Sequence, residues 1–144
     1  MQFKPELIEK ILAGEKTQMR WSVKPGDTAD FDDDTNSYVV FHNGHLKYQA
    51  DKTYAVCPGR GKYQVARIRI LKIRREDVRL ISLGDAKAEG FCNEPEFFQT
   101  WCGFYDPKGW DIIEKPFLGH WLAFMGRPAH LYDAWALTFE LVEE

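Results

Sequence analysis

Apolar residues recur every three or four positions near the start of the chain, at Leu7, Ile8, Ile11 and Leu12. This spacing predicts an amphipathic helix over residues 5–13, whose first residue is a proline, a type that helix starts tolerate. Gly14 suits the left-handed conformation that ends a helix. We therefore expect Lys16 and Arg20 to lie on a polar segment that the helix anchors and that continues into a strand-like stretch at residues 23–31.

Asn43-Gly44 predicts a β-hairpin, because this dipeptide favours the tight turn between two antiparallel strands. The strands are expected at residues 38–42 and 45–49, with His42 and His45 facing each other beside the turn. The acidic stretch at residues 26–35 is predicted to be a loop with a solvated turn at its three consecutive aspartates. A metal site there is the less favoured alternative, because the oxygen ligands lack the spacing of a calcium loop.

Two further segments have the composition of strands. Residues 54–57 predict a short strand, which a tight basic loop at residues 58–62 follows. Residues 63–73 predict one long strand with a bend near Ile70, because the apolar phase passes there to Leu71 and Ile73. Residues 135–141 predict a terminal strand in the same sheet.

The second half of the chain contains three predicted helices. Ser82 can cap a short helix that runs through Glu89 and ends at Gly90, and Asn93 can cap a second one over residues 94–102. The third is predicted at residues 116–126. Its aromatic residues, and those of the second helix, are expected to form a core rather than a platform that stacks bases.

Composition limits the class of protein. The 144 residues suit a single domain, 1–144, and no apolar run approaches the roughly 20 residues that cross a membrane. The first residues are polar, so no signal peptide is predicted. The three cysteines show no close pairing, which favours a reducing cytoplasm over a disulfide framework or zinc site. We expect a soluble cytoplasmic protein without cofactor or metal, and the sequence leaves its oligomeric state open.

Positive charge is concentrated in one segment of a chain whose net charge is −3. Between Arg60 and Arg75 there are seven lysine or arginine residues and no acidic one. This basic stripe can be a solvated face of the sheet or a face that contacts phosphates. The sequence does not decide between the two.

Four motifs together resemble the ASCH (activating signal cointegrator homology) family of the PUA-like superfamily. They run over Ile11–Arg20, Tyr54–Lys62, Asp85–Phe91 and Ala134–Phe139, in the order and spacing of the family. The resemblance covers most of the chain and is weakest over residues 103–130. It implies an α+β fold, a PUA-like mixed β-barrel with flanking helices, and a cleft where the glycine-lysine motif meets the barrel.

The resemblance implies several activities, because PUA-like folds carry different functions. Some ASCH domains are thought to bind RNA, some are reported as ribonucleases, and a similar bacterial group hydrolyses N4-acetylcytidine. The lysine and glutamate of that last group fall on Lys16 and Glu89. Each follows or precedes the end of a predicted helix, a position that we expect to hold the side chain without burying it. Its threonine falls on Met19, which has no hydroxyl, and Thr17 is expected to point elsewhere.

We therefore expect an RNA- or nucleotide-binding domain whose positively charged cleft consists of Lys16, Arg20, Arg60, Lys62 and Arg67. A second hypothesis is a hydrolase, acting on RNA or a modified nucleoside, in which Lys16 and Glu89 stabilise charge and transfer protons. A third is an interaction module that binds a carboxylate or peptide of a protein partner. Basic residues after a helix can also serve only to stabilise its dipole.

Overall fold

The computed structural model describes residues 1–106 and 127–142. Within them the order of elements is α1 (Pro5–Leu12), β1 (Gln18–Ser22), β2 (Asp27–Asp32), β3 (Ser37–His42), β4 (His45–Tyr48), β5 (Thr53–Val56), β6 (Ala66–Asp77), α2 (Leu83–Ala88), α3 (Glu94–Tyr105) and β7 (Asp133–Leu141). Short 3₁₀ turns precede α2 and β7, at Val78–Leu80 and Ala129–Tyr132. The predicted third helix at residues 116–126 lies outside the described residues.

The strands form two antiparallel sheets. One has the order β1-β7-β6-β5 and the other the order β2-β3-β4. Among the described residues these sheets do not close into one barrel, so the α+β class is confirmed and the predicted barrel is not. None of the described helices is long and apolar enough to cross a membrane.

The bend predicted in the long strand is present in β6. Its pairing with β7 shifts between Ile70 and Lys72, so Leu71 is the extra residue of a bulge. Ile70 and Ile73 are fully buried on either side of the bulge, whereas Leu71 is 43% exposed and does not join the core as expected. The strand also begins at Ala66 and continues to Asp77, so the predicted bounds of 63–73 were displaced towards the N-terminus.

The hairpin prediction is confirmed. His42 pairs with His45, and Asn43 and Gly44 have φ angles of 50° and 82°, as the two central residues of this turn require. The predictions for the preceding segment were right only in part: residues 27–31 are a strand, and the turn expected at the three aspartates follows it at residues 33–36. The strand-like stretch at residues 23–31 is a turn followed by β2, and most of the expected acidic loop is this strand. Aspartates are tolerated in β2 because it is an edge strand.

Three apolar clusters hold these elements together. Phe3, Ile8 and Ile11 pack α1 against β5, β6 and β7. The two sheets face each other across a second cluster, which consists of Val40, Tyr48, Ile70, Ile73, Trp135 and Leu137. A third cluster packs α3 on the segment before α2 and on the start of β7. It contains the predicted core aromatics of α3, Phe97, Phe98 and Trp101.

Candidate functional site

Two helix ends meet beside the start of β1. After α1, Gly14 has a φ angle of 77°, and after α2, Gly90 has a φ angle of 99°, so both predicted glycine stops are confirmed. The N–H of Thr17 donates to the carbonyl of Ala88 over 2.8 Å. The ammonium group of Lys10 donates to the carbonyl of Gly90. These contacts bring the segment after α1 alongside the end of α2.

Lys16 and Glu89 form a buried ion pair at this junction. Lys16 Nζ lies 3.0 Å from Glu89 Oε2, and the two residues are 1% and 2% exposed. The ammonium group also donates to the carbonyls of Gln18 and Glu89 over 2.8 and 2.7 Å. These three acceptors match the three protons of the lysine. Helix ends were expected to hold these side chains without burying them, and this expectation was wrong.

Arg20 is also buried, on β1, and acceptors surround its guanidinium group. Its Nη1 donates to Glu89 Oε1 and Gln18 Oε1 over 3.0 and 2.8 Å. Its Nε and Nη2 reach Glu76 Oε2 over 2.9 and 2.8 Å, and Nη2 also reaches Asp85 Oδ2 over 3.2 Å. Four of these contacts are hydrogen bonds, and the fifth, between Nη2 and Glu76, is an ion-pair contact, so four of the five N–H groups donate to the protein.

The surrounding charges balance. Besides Lys16 and Arg20, the cluster contains Arg74, which pairs with Glu76 over 2.9 Å. Three cations thus face three carboxylates, those of Glu76, Asp85 and Glu89. We call these six residues the ion-pair cluster. Burial lowers the pKa of Lys16, although the charge and hydrogen bond of Glu89 oppose this shift.

A cavity of about 590 Å³ lies beside this cluster. Lys16, Arg20 and Glu89 form part of its lining, and we call these three residues the polar floor. The walls are mostly apolar and include Phe3, Met19, Trp21, Phe91, Phe97, Trp101, Phe104 and Tyr105. The volume is in the range of small-molecule sites, which are commonly apolar with a few polar groups.

Two tryptophans of the cavity wall have buried N–H groups without a hydrogen-bond acceptor. They are Trp21, on β1, and Trp101, on α3, which is 4% exposed. Neither N–H group has an acceptor within the described residues, and neither is reached by solvent. Most buried polar groups have a partner, so two orphaned donors around one cavity are a notable feature.

The other predicted binding residues do not share the cavity with Lys16 and Arg20. Arg60 and Lys62 are exposed in the loop after β5, whose Pro58 and Gly59 reach the cavity lining. Arg67 lies on β6 and donates to Gln64 and Thr53. The five residues therefore do not form one positively charged cleft in the described residues, since two of them are buried and neutralised.

Acids from distant segments also neutralise part of the basic stripe. Arg69 lies 3.3 Å from Glu140, and Arg75 lies 3.0 Å from Asp133. These acids belong to β7, so they were invisible in the local sequence. Within residues 1–106 and 127–142, no group of three or more histidine, cysteine or acidic side chains is arranged to hold a metal ion.

The position of the expected nucleophile lies in the cavity, but without a hydroxyl. Met19 contributes to the lining, whereas Thr17 is absent from the described lining residues. The backbone of Thr17 is fixed by Ala88 on one side and by Phe139 on the other. Thr100 does line the cavity, and its hydroxyl donates to the carbonyl of Glu96 in its own helix.

Sequence reasoning missed several parts of the site. Glu76 and Asp85 had no local signal, because each is an ordinary acid until the fold places it beside Arg20. Trp101 was expected to be a core residue, and no role was predicted for Trp21. The local sequence around each gave no indication that its indole N–H group would lack an acceptor.

Comparisons with known proteins identify the fold. No family model and no curated protein matches the sequence. The structure is similar to a protein of Enterococcus faecalis V583 from family DUF984, with a TM-score of 0.59, 14% identity, and coverage of 95% of this chain and 70% of that one. It is also similar to an ASCH domain from Lactobacillus crispatus JV V101, with a TM-score of 0.57, 14% identity, and coverage of 94% and 70%. The chain therefore has an ASCH-like fold.

Proposed function

We propose that the protein binds RNA or a nucleotide and holds a nucleobase in the cavity. The observation that supports this proposal most directly is a cavity of about 590 Å³ that combines aromatic walls with the polar floor. Stacking of a base on an aromatic side chain contributes about 1–3 kcal/mol and tolerates any base. The likeness to an ASCH domain supports this proposal through the fold alone.

The phosphates are assigned to basic residues at the edge of the cavity. Lys4 and Lys24 contribute to its lining, and Arg60 and Lys62 follow the two loop residues that reach it, Pro58 and Gly59. Arg60 and Lys62 are exposed and form no ion pair with a described carboxylate. They can therefore contact phosphate without first breaking an internal contact.

Replacing Arg60 and Lys62 together with glutamine is expected to weaken binding of a short single-stranded RNA about three- to tenfold at low salt. The slope of affinity against salt concentration should also become shallower, because fewer counterions are released. The matched control replaces Arg69 and Arg75, which already pair with Glu140 and Asp133. Fluorescence polarisation over a range of salt concentrations measures both variants.

Three outcomes separate the hypotheses. Absence of binding to RNA and nucleotides at low salt would reject the proposed function. Equal losses in the two double variants would show that the phosphates follow the basic stripe rather than the loop. Competition by a carboxylate-bearing peptide with little effect of salt would instead support the interaction module, because only phosphate contacts release counterions steeply.

Hydrolysis of RNA or a modified nucleoside is the second candidate. Lys16 has a lowered pKa through burial and contacts Glu89 beside a cavity, which is an arrangement found in active sites. In this role Glu89 would transfer a proton and Lys16 would stabilise negative charge. Turnover of RNA, followed by gel electrophoresis with Glu89→Gln as the comparison, distinguishes this activity from binding alone.

Deacetylation of N4-acetylcytidine is expected to be undetectable in the wild type, because Met19 offers no nucleophilic hydroxyl. Chromatography of the nucleoside after prolonged incubation checks this prediction. Met19→Thr places a hydroxyl in the cavity wall, and slow product formation by this variant would support the assignment of the site. Clear turnover by the wild type would contradict the prediction.

A further inference from the structure

A second pocket lies beside the β3-β4 hairpin. It has a volume of about 290 Å³ and is lined by Lys24, His42, His45, Leu46 and Lys47. We call it the hairpin pocket, because all of these residues except Lys24 belong to the hairpin. Four of the five are lysine or histidine, and none of the described lining residues is acidic. A pocket lined by basic groups attracts a negatively charged ligand.

Backbone contacts fix Lys24 beside the hairpin. Its N–H donates to Asp27 Oδ2 over 2.9 Å, and its carbonyl accepts from the N–H of Asp27 over 3.0 Å. In the same turn, the carbonyl of Gly26 accepts from the N–H of Asn43 over 3.0 Å. A Cβ atom at Gly26 would lie only 2.3 Å from Asn43 Oδ1, so the turn and the hairpin are in direct contact. The side chain of Lys24 is exposed and has no acceptor among the described residues.

Asp27 orients two of the lining side chains. Its buried carboxylate lies 2.7 Å from His42 Nδ1 and 3.4 Å from Lys47 Nζ. The side chains of His42 and Lys47 are nevertheless 40% and 21% exposed, so a ligand can reach them, in contrast to the polar floor. The distance to Lys47 exceeds the roughly 3.2 Å of ordinary hydrogen bonds, so its ammonium group keeps donors for a ligand.

The hairpin pocket adjoins the cavity beside the ion-pair cluster, which we call the aromatic cavity. Lys24 belongs to the lining of both. On β4, Lys47 lines the hairpin pocket and the next residue, Tyr48, lines the aromatic cavity. The two pockets are therefore neighbours, and one ligand can occupy both.

We propose that the hairpin pocket binds a phosphate group of the same RNA strand whose base occupies the aromatic cavity. Lys24 contacts the strand as it leaves the cavity, and Lys47 and the two histidines hold a neighbouring phosphate. This inference rests on the proposed function and deepens it, because it adds a phosphate subsite and a path for the strand. Contacts to phosphate fix position and carry no sequence information, so the subsite is expected to act on all sequences alike.

Replacing His45 and Lys47 together with glutamine tests the inference, because the change leaves the described lining of the aromatic cavity intact. The matched control replaces His130 and Lys87 with glutamine, since both are exposed and line neither pocket. Fluorescence polarisation with a single-stranded RNA hexanucleotide measures both variants. We expect the pocket variant to bind about three- to tenfold more weakly at low salt, with a salt slope shallower by roughly 0.7 per lost phosphate contact.

A nucleoside 5′-monophosphate is the second probe. Its single phosphate is assigned to the loop at Arg60 and Lys62, so the pocket variant should bind it within about twofold of the wild type. The hexanucleotide should therefore bind the wild type more tightly than the monophosphate does, and the pocket variant should lose most of this difference. Inorganic phosphate is the third probe, because it reports on the hairpin pocket without a base.

His45→Glu is a second variant that leaves the contact between Lys47 and Asp27 intact. The side chain of His45 is exposed and makes no hydrogen bond or ion pair with a described residue, so the melting temperature should not change. The added carboxylate should repel a phosphate and weaken binding of the hexanucleotide about three- to tenfold. His130→Glu adds the same charge outside both pockets and is the control.

The outcomes distinguish this inference from the proposed function. If the hexanucleotide binds and the pocket variants stay within about twofold of their controls, the inference fails and the function stands. The inference is also overturned if the variants lose affinity for inorganic phosphate but not for the hexanucleotide, because the hairpin pocket is then an independent anion site. If neither the hexanucleotide nor the monophosphate binds at low salt, both proposals fail.

Discussion

Replacing Glu89 with glutamine is expected to lower the free energy of unfolding by about 3–5 kcal/mol, the range for breaking a buried ion pair from one side. The carboxylate accepts from both Lys16 and Arg20, and all three side chains are at most 2% exposed. The amide that replaces it brings an NH₂ group towards two cations, which remain buried without their partner. Thermal unfolding should show a loss of about 10 °C.

Glu140→Gln provides the matched control for this variant. Glu140 also pairs with an arginine, but its side chain is 50% exposed and that of Arg69 is 42% exposed. Pairs of this kind contribute less than about 1 kcal/mol, so little change is expected. Equal small losses in the two variants would show that the ion-pair cluster is solvated in solution.

The burial of Lys16 and Glu89 changes how their function can be tested. Substitutions in an exposed functional pair would reduce binding and leave stability nearly unchanged. Since both residues are buried, Lys16→Ala and Glu89→Gln should reduce stability whether or not the residues contact a ligand. Affinity must therefore be measured well below the melting temperature of each variant.

Local signals predicted the elements that depend on local chemistry. The glycine stop after α1, the Asn43-Gly44 turn and the bulge near Ile70 each follow from a few adjacent residues. The segment of β2 received two conflicting predictions, a strand-like stretch and an acidic loop, because its aspartates are typical of loops. Its place at a sheet edge, which tolerates them, depends on strands elsewhere in the chain.

The candidate site shows the same division. Resemblance to a family indicated Lys16 and Glu89, and the structure brings them within 3.0 Å. Charge in the local sequence suggested an open positive cleft, but it could not reveal that Glu76 and Asp85 neutralise Arg20. Pairing between distant segments decides which charges are free, so local charge counts overestimated the positive surface.

Asp27 offers a second strong test of the fold, at the contact between β2 and the larger sheet. Its side chain is fully buried and accepts from the Lys24 N–H, from Trp135 Nε1 and from His42, with Lys47 also within 3.5 Å. Burial by itself raises the pKa of Asp27. The hydrogen bonds and the charge of Lys47 outweigh it and lower the pKa to about 2.

Asp27→Asn is therefore expected to cost about 2–3 kcal/mol near neutral pH, since an aspartate in the unfolded chain titrates near 3.9. A lowered folded-state pKa stabilises the fold fully above about pH 5, and this contribution disappears as the pH falls towards 2. The difference between wild type and variant should therefore shrink to about half at pH 3. Urea unfolding at pH 6 and pH 3 measures it, with the exposed Asp33→Asn as the control. A difference that stays constant between the two pH values would show that Asp27 is not held as a carboxylate by these donors.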